Sequence, residues 1–210
     1  QLGRLSVAAM PAFAGNLLPA ALVKFRQQYP KINITVHDVI NEEVTAMVRS
    51  RQVEMGIAFS PEGTGSLLFT PLFEDHFVAV VPTGSPLTQT TQLAWSTLLS
   101  HDFITLQRPS MVRRLLEQEL SKQDMELTVA FESHQLSTVG RMVADGLGVS
   151  AVPSMCIRQM HELGARCIPL TAPAISCRVG ILTHQELSVA THALRTVLLN
   201  TVQAPSLPLA

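Results

Sequence analysis

Aromatic residues make up only 5% of this 210-residue chain, with one Trp and one Tyr, and charged residues only 15%. Apolar matter is not short: 47% of the residues are hydrophobic, enough for a packed core and too many for a disordered chain. A basic excess is also missing. Fifteen Lys and Arg against sixteen Asp and Glu leave a net charge of −1. That argues against a nucleic-acid surface within these residues, since such surfaces concentrate positive charge. No apolar run approaches the ~18 residues a membrane helix needs, and no N-terminal export signal is written in the chain. No membrane partner and a cytoplasmic location are therefore expected. Cys156, Cys167 and Cys177 are odd in number, fall in one late segment and show no C-x-x-C spacing. They read as reduced, mostly buried thiols.

Catalytic signatures are lacking as well. There is no G-x-S-x-G, no S-x-x-K and no phosphate-binding loop ending in Lys-Ser/Thr. His161-Glu162-Leu163-Gly164-Ala165 lacks the second histidine of the H-E-x-x-H zinc motif. Glu42-Glu43 and Glu74-Asp75 are adjacent carboxylates, but neighbours in a helix or strand point in different directions, so both pairs read as solvated surface. No catalytic residue, metal ligand or cofactor is expected.

What is present is α/β architecture. Met142-Val143-Ala144-Asp145-Gly146-Leu147-Gly148-Val149-Ser150-Ala151-Val152-Pro153 reads as a helix stopped by a left-handed glycine, then a short buried strand. Gly146-x-Gly148-x-x-Ala151 matches the dinucleotide fingerprint as a string. That fingerprint needs a strand before it and a helix after it, and here the order is reversed. Upstream, Leu5 to Ala9 reads as a strand, and Pro11 to Gly15 as a loop. A helix carries Leu17, Leu18, Ala21, Leu22 and Phe25 on one face and closes at Tyr29-Pro30. Ile32, Ile34 and Val36 alternate as a strand, Asn41 is placed as the cap of the next helix, and Met55 to Phe59 is a third strand. This βαβαβ order implies a parallel sheet.

Strands are expected at Phe77 to Val81, Phe103 to Leu106 and Leu127 to Phe131, with helices at Leu93 to Leu99, after a Ser110 cap, and around Val139 to Val143. They make a second βαβαβ-like lobe. A late strand at Val179 to Thr183 and a helix from Ser188 to Leu199 are able to return to the first lobe. The expectation is two Rossmann-like lobes with a hinge and an interlobe cleft: residues 1–76 plus 180–203 in one, 77–179 in the other.

In this order the chain resembles the effector-binding domain of LysR-type transcriptional regulators. The resemblance rests on Leu17-Leu18-Pro19 with Phe25-Arg26-Gln27-Gln28-Tyr29-Pro30, Ile32-Asn33-Ile34 and Val53-Glu54-Met55-Gly56-Ile57-Ala58. It extends through Glu74-Asp75-His76-Phe77-Val78-Ala79-Val80, Ser85-Pro86-Leu87, Glu132 and the Met142–Pro153 motif. It implies a fold similar to type 2 periplasmic binding proteins with a small-molecule inducer in the cleft. It further implies a dimer of this domain, a tetramer of the full protein, and DNA contact only through an N-terminal winged helix-turn-helix absent from these residues. A periplasmic-type solute-binding protein and a prephenate-dehydratase-like enzyme are alternatives on the same fold. The first would usually bring an export signal, the second a catalytic Thr in the cleft.

Ligands of open α/β sheets bind beyond the carboxyl ends of the strands. That rule selects Pro11, Ala12, Phe13, Ala14, Asn41, Phe59 and Ser60 in the first lobe. In the second it selects Leu106, Gln107, Arg108, Ser133, His134 and the adjoining Gln135. Relatives resembling this chain often carry Ser or Thr where Ala12 lies, a side-chain contact that alanine does not offer. Arg108 is either a cation facing the ligand or a solvated residue near the Ser110 cap. Asn41 is a cap or a ligand contact, His134 an exposed helix start or a titrating contact, and Phe13 and Phe59 core or partly open. Helix N-termini, Arg108 and an apolar first loop together suggest a small organic anion with an apolar part.

Overall fold

The computed structural model describes residues 3–205; residues 1 and 2, at the start of the first expected lobe, lie outside the described residues. In chain order the elements are β1 (Arg4–Ala9), α1 (Pro11–Asn16), α2 (Leu18–Gln28), β2 (Asn33–Asp38), α3 (Asn41–Arg49), β3 (Met55–Phe59) and β4 (Leu68–Pro82). There follow β5 (Leu93–Ala94), α4 (Trp95–Leu98), β6 (Phe103–Leu106), α5 (Met111–Ser121), β7 (Val129–Ser133), α6 (Leu136–Ala144) and β8 (Ser150–Pro153). The chain closes with α7 (Ile157–Glu162), β9 (Ala165–Thr171), β10 (Ser176–Thr183) and α8 (Val189–Thr201). It divides into two compact units, one up to Glu74 together with Arg178–Ala204, the other Asp75–Cys177. The chain passes between them twice, within β4 and at the start of β10.

In the first unit β1 pairs in parallel with β2, Val7 opposite Val36, and with β3, Val7 opposite Met55. β3 pairs antiparallel with β10, Val179 opposite Phe59. Met55 to Phe59 is buried throughout, because a strand covered on both faces has no side to give to water. Gly56 allows α3 its close approach: a Cβ there would sit 2.6 Å from Val44 and 2.8 Å from Val48. The segment Pro11 to Gly15, expected as a loop, is instead α1. Pro11 occupies the first helical position, where its missing N–H costs nothing and its fixed φ favours the turn. The N–H groups of Phe13 and Ala14 then bond to Met10 O. Ser188 caps α8 by accepting from Thr191 N, and Glu54 accepts from Ser188 N and Oγ, tying the start of β3 to α8.

The second unit is mixed, where a βαβαβ-like lobe was expected. β4 pairs antiparallel with β8 and β9, β5 in parallel with β9, and β6 in parallel with β7. The strand expected at Phe77 to Val81 is the far half of the 15-residue β4, and β7 lies two residues later than expected. Ser110 caps α5 as its sequence suggests, accepting from Arg113 N. Gly146 stops α6 at φ +88°.

Asp75 departs from its surface reading. Glu74 and His76 are exposed, but Asp75 shares the inward face of β4 with Phe73 and Phe77 and is 1% exposed. Its carboxylate accepts from Ser154 Oγ, from Met155 N at 3.0 Å and from His76 N at 2.7 Å.

Candidate functional site

In the first unit the parallel strands β1, β2 and β3 end together at Ala9, Asp38 and Phe59. Of the residues proposed from α1, Pro11 is exposed and Ala14 half-buried. Ala12 and Phe13 are 2% and 0% exposed, and Phe13 stacks on Phe73 with ring centroids 6.5 Å apart. Phe13 and Phe59 are therefore core residues. Asn41 is the first helical residue of α3 and not its cap; the extended Ile40 holds the cap position. The reason is a competing bond: Asn41 Oδ1 accepts from Phe59 N at 2.8 Å, tying the start of α3 to the end of β3. Asn41 is 6% exposed. Ser60 is half-buried, and its N–H donates to Arg178 O at 2.9 Å.

In the second unit β6 and β7 also run parallel and end at Leu106 and Ser133. Gln107 N donates to Ser133 O at 2.8 Å, so the two strand ends are held side by side. Leu106 and Ser133 are half-buried; Gln107, His134 and Gln135 are exposed. Arg108 is exposed and committed to Glu117, 2.9 Å away. Glu117 also receives Arg113 Nε at 2.7 Å, and Arg113 reaches Glu132 at 3.2 Å and Leu106 O at 3.3 Å. Burial alone would lower the Arg113 guanidinium, but hydrogen bonds and attraction from Glu117 and Glu132 outweigh it and raise it. Two cations and two carboxylates thus cancel, and Arg108 is neutralised by its own lobe.

Sequence reasoning missed Arg178, which lies opposite Ser60. Burial disfavours the thiolate form of two cysteines. Burial raises Cys156, with further contributions from the charges of Asp75 and the other cysteines, and burial pushes Cys167 up to about 12 against the opposing Arg166. Among the described residues no group of three His, Cys, Asp or Glu side chains is arranged to hold a metal ion. No helix among them is long and apolar enough to cross a membrane. Two surface hollows of about 310 and 250 Å³, one beside Ser188 and His192 and one beside Leu17 and Lys24, contain none of the proposed residues.

The profile of the LysR substrate binding domain matches residues 1–203. The chain belongs to this family. It is 28% identical over 200 residues to the HTH-type transcriptional regulator YbhD of Escherichia coli, covering 94% of this chain and 63% of that protein. It is 27% identical over 182 residues to a probable RuBisCO transcriptional regulator of Trichormus variabilis, covering 83% and 54%. The chain thus spans less than two thirds of the length of either. Among solved structures, the Synechocystis CcmR regulatory domain in complex with 2-PG matches with a TM-score of 0.86 and 18% identity, over 97% of this chain and 100% of that one. The effector-binding domain of QuiR in complex with shikimate matches with a TM-score of 0.84 and 14% identity, over 95% and 97%. At these identities the structures establish the shared fold of LysR substrate-binding domains, similar to type 2 periplasmic binding proteins.

Proposed function

We propose that this LysR domain is the ligand-sensing part of a transcriptional regulator. Candidate contacts for a small-molecule inducer are the carboxyl-end loops of each unit, around Asn41 and Ser60 in the first and around Gln107 and Ser133 in the second. DNA is contacted by a helix-turn-helix outside these residues, in the cytoplasm, and the domain binds its inducer without transforming it. The match across residues 1–203 carries this reading; the regulators among the relatives support it. A thermal-shift screen of metabolites tests it. A ligand that binds only the folded state at a hundred times its Kd adds about 2.7 kcal/mol of stability, and the expected result is a saturable rise in Tm with the compound recovered unchanged. Turnover of the compound would overturn it.

Pairing of two copies of this domain is part of the same proposal. Val23 of α2 is 59% exposed, and Tyr29 at the end of that helix and Val36 of β2 are 37% and 38% exposed, apolar side chains of the kind that association covers. Sedimentation is expected to show a concentration-dependent dimer that Val23→Asp weakens. A strict monomer at high concentration removes α2 from any role in assembly.

A further inference from the structure

We infer that the first unit carries an oxyanion subsite made by Arg178, Ser60 and Asn41, taking a carboxylate or phosphate group of the inducer. This rests on the ligand-sensing reading and replaces Arg108 as the source of positive charge.

Three observations converge. The register of β3 and β10, Gly180 opposite Ala58 and Val179 opposite Phe59, continues through the hydrogen bond from Ser60 N to Arg178 O. Directly opposed residues of an antiparallel pair point to the same face. Along β3 that face is set by alternation: Gly56, Ala58 and then Ser60. Val44 and Val48 lie against the Gly56 position, so α3 covers this face. Because α3 runs back along β3, its first residue, Asn41, arrives at the same end, as its bond to Phe59 N confirms. Arg178, Ser60 and Asn41 therefore meet at one strand end.

Their bonding capacity is unspent. The Asn41 amide oxygen is used by Phe59 N, which turns the amide so that its two N–H donors are available, on a side chain 6% exposed. Arg178 is exposed, and no ion pair engages it among the described residues. Ser60 uses its backbone N–H on Arg178 and leaves its hydroxyl to donate. A planar guanidinium carried at the same strand end as an amide and a hydroxyl is a donor set matched to an oxyanion, and charge-assisted bonds there are the strong ones. Arg108, held by Glu117, is already neutralised.

The test is calorimetry on the folded domain with inorganic phosphate and with malonate at matched ionic strength, the two arms separating phosphate from carboxylate recognition. At least one should bind saturably. Arg178→Gln should weaken it roughly tenfold or more, and Arg178→Lys should restore part of the loss. Arg108→Gln should leave it unchanged. Asn41→Asp, which keeps an acceptor for Phe59 N but adds negative charge, should abolish it. Failure of both anions to bind the wild type, or undiminished binding by Arg178→Gln, overturns the subsite. If Asn41→Asp does not fold, the Arg178 and Arg108 variants decide. A metabolite from the thermal-shift screen that binds Arg178→Gln as tightly as wild type would sink this subsite while leaving the sensing role intact.

Discussion

Replacing Asp75 with Ala should cost on the order of 3–5 kcal/mol and lower the melting temperature of the 210-residue chain by roughly 6–20 °C. The carboxylate is 1% exposed and accepts from Ser154 Oγ, Met155 N and His76 N. Phe77 pairs with Pro153, so Asp75 sits beside the turn that follows β8, and its oxygens receive donors that this turn leaves without helical partners. Alanine would leave the Ser154 and Met155 donors buried and unpaired and open a cavity as well. Asp75→Asn should fall between the two, since it keeps one acceptor but sets an amide NH₂ against a donor. Trp95 is the single Trp, lies in the second unit and is fully buried, so its fluorescence reports this unit's melting directly. A shift under about 2 °C in Asp75→Ala would mean that the cluster contributes little.

The alternation that buries Asp75 was legible, but its meaning was not. Phe73, Asp75 and Phe77 sit at every second position, which marks one face of a strand. A carboxylate at an inward place is only credible once Ser154 and Met155, some eighty residues away, are seen to receive it. The same limit explains other differences. Apolar periodicity placed α2, α5, α6 and α8, and Ser110 was identifiable as a cap, because those signals are local. The near half of β4 is harder: Leu68 is 46% exposed and Pro71 interrupts the run, so neither a buried strand nor a clean alternation is visible. In β9, Pro169 argues against a strand, yet it lies opposite Val78. At the candidate site, Asn41 and Ser60 were accessible as residues at a strand end. Arg178 was not, because its place beside Ser60 is set by pairing between segments more than a hundred residues apart. Arg108 shows the converse: a cation in the right loop whose charge is cancelled by Glu117, nine residues on along the chain.

Gly146 and Gly148 look equivalent in the sequence and should respond very differently to the same methyl group. Gly146 stops α6 at φ +88°, and a Cβ there meets nothing within 4 Å. Gly146→Ala should therefore cost only backbone strain, about 1–2 kcal/mol. At Gly148 a Cβ would stand 2.4 Å from Asp102 O and 3.3 Å from Ile104 Cγ1. Neither can give way freely. Asp102 O accepts from Val149 N at 2.9 Å, and Ile104 N donates to Val149 O at 2.8 Å, so the contact lies between two hydrogen bonds that set the start of β6. Gly148→Ala should cost about 3 kcal/mol or more, the upper range for overpacking, because backbone must move. The damage should reach the candidate site. β6 ends at Leu106, and Gln107 N is bonded to Ser133 O, so displacing Asp102–Ile104 shifts the loops through which the second unit is proposed to engage its inducer. Urea denaturation of the two variants, followed by titration with the compound from the thermal-shift screen, separates the effects. Gly146→Ala should lose stability and keep its affinity, while Gly148→Ala should lose both. Equal losses of stability would show that the close approach to Asp102 is relaxed at little cost.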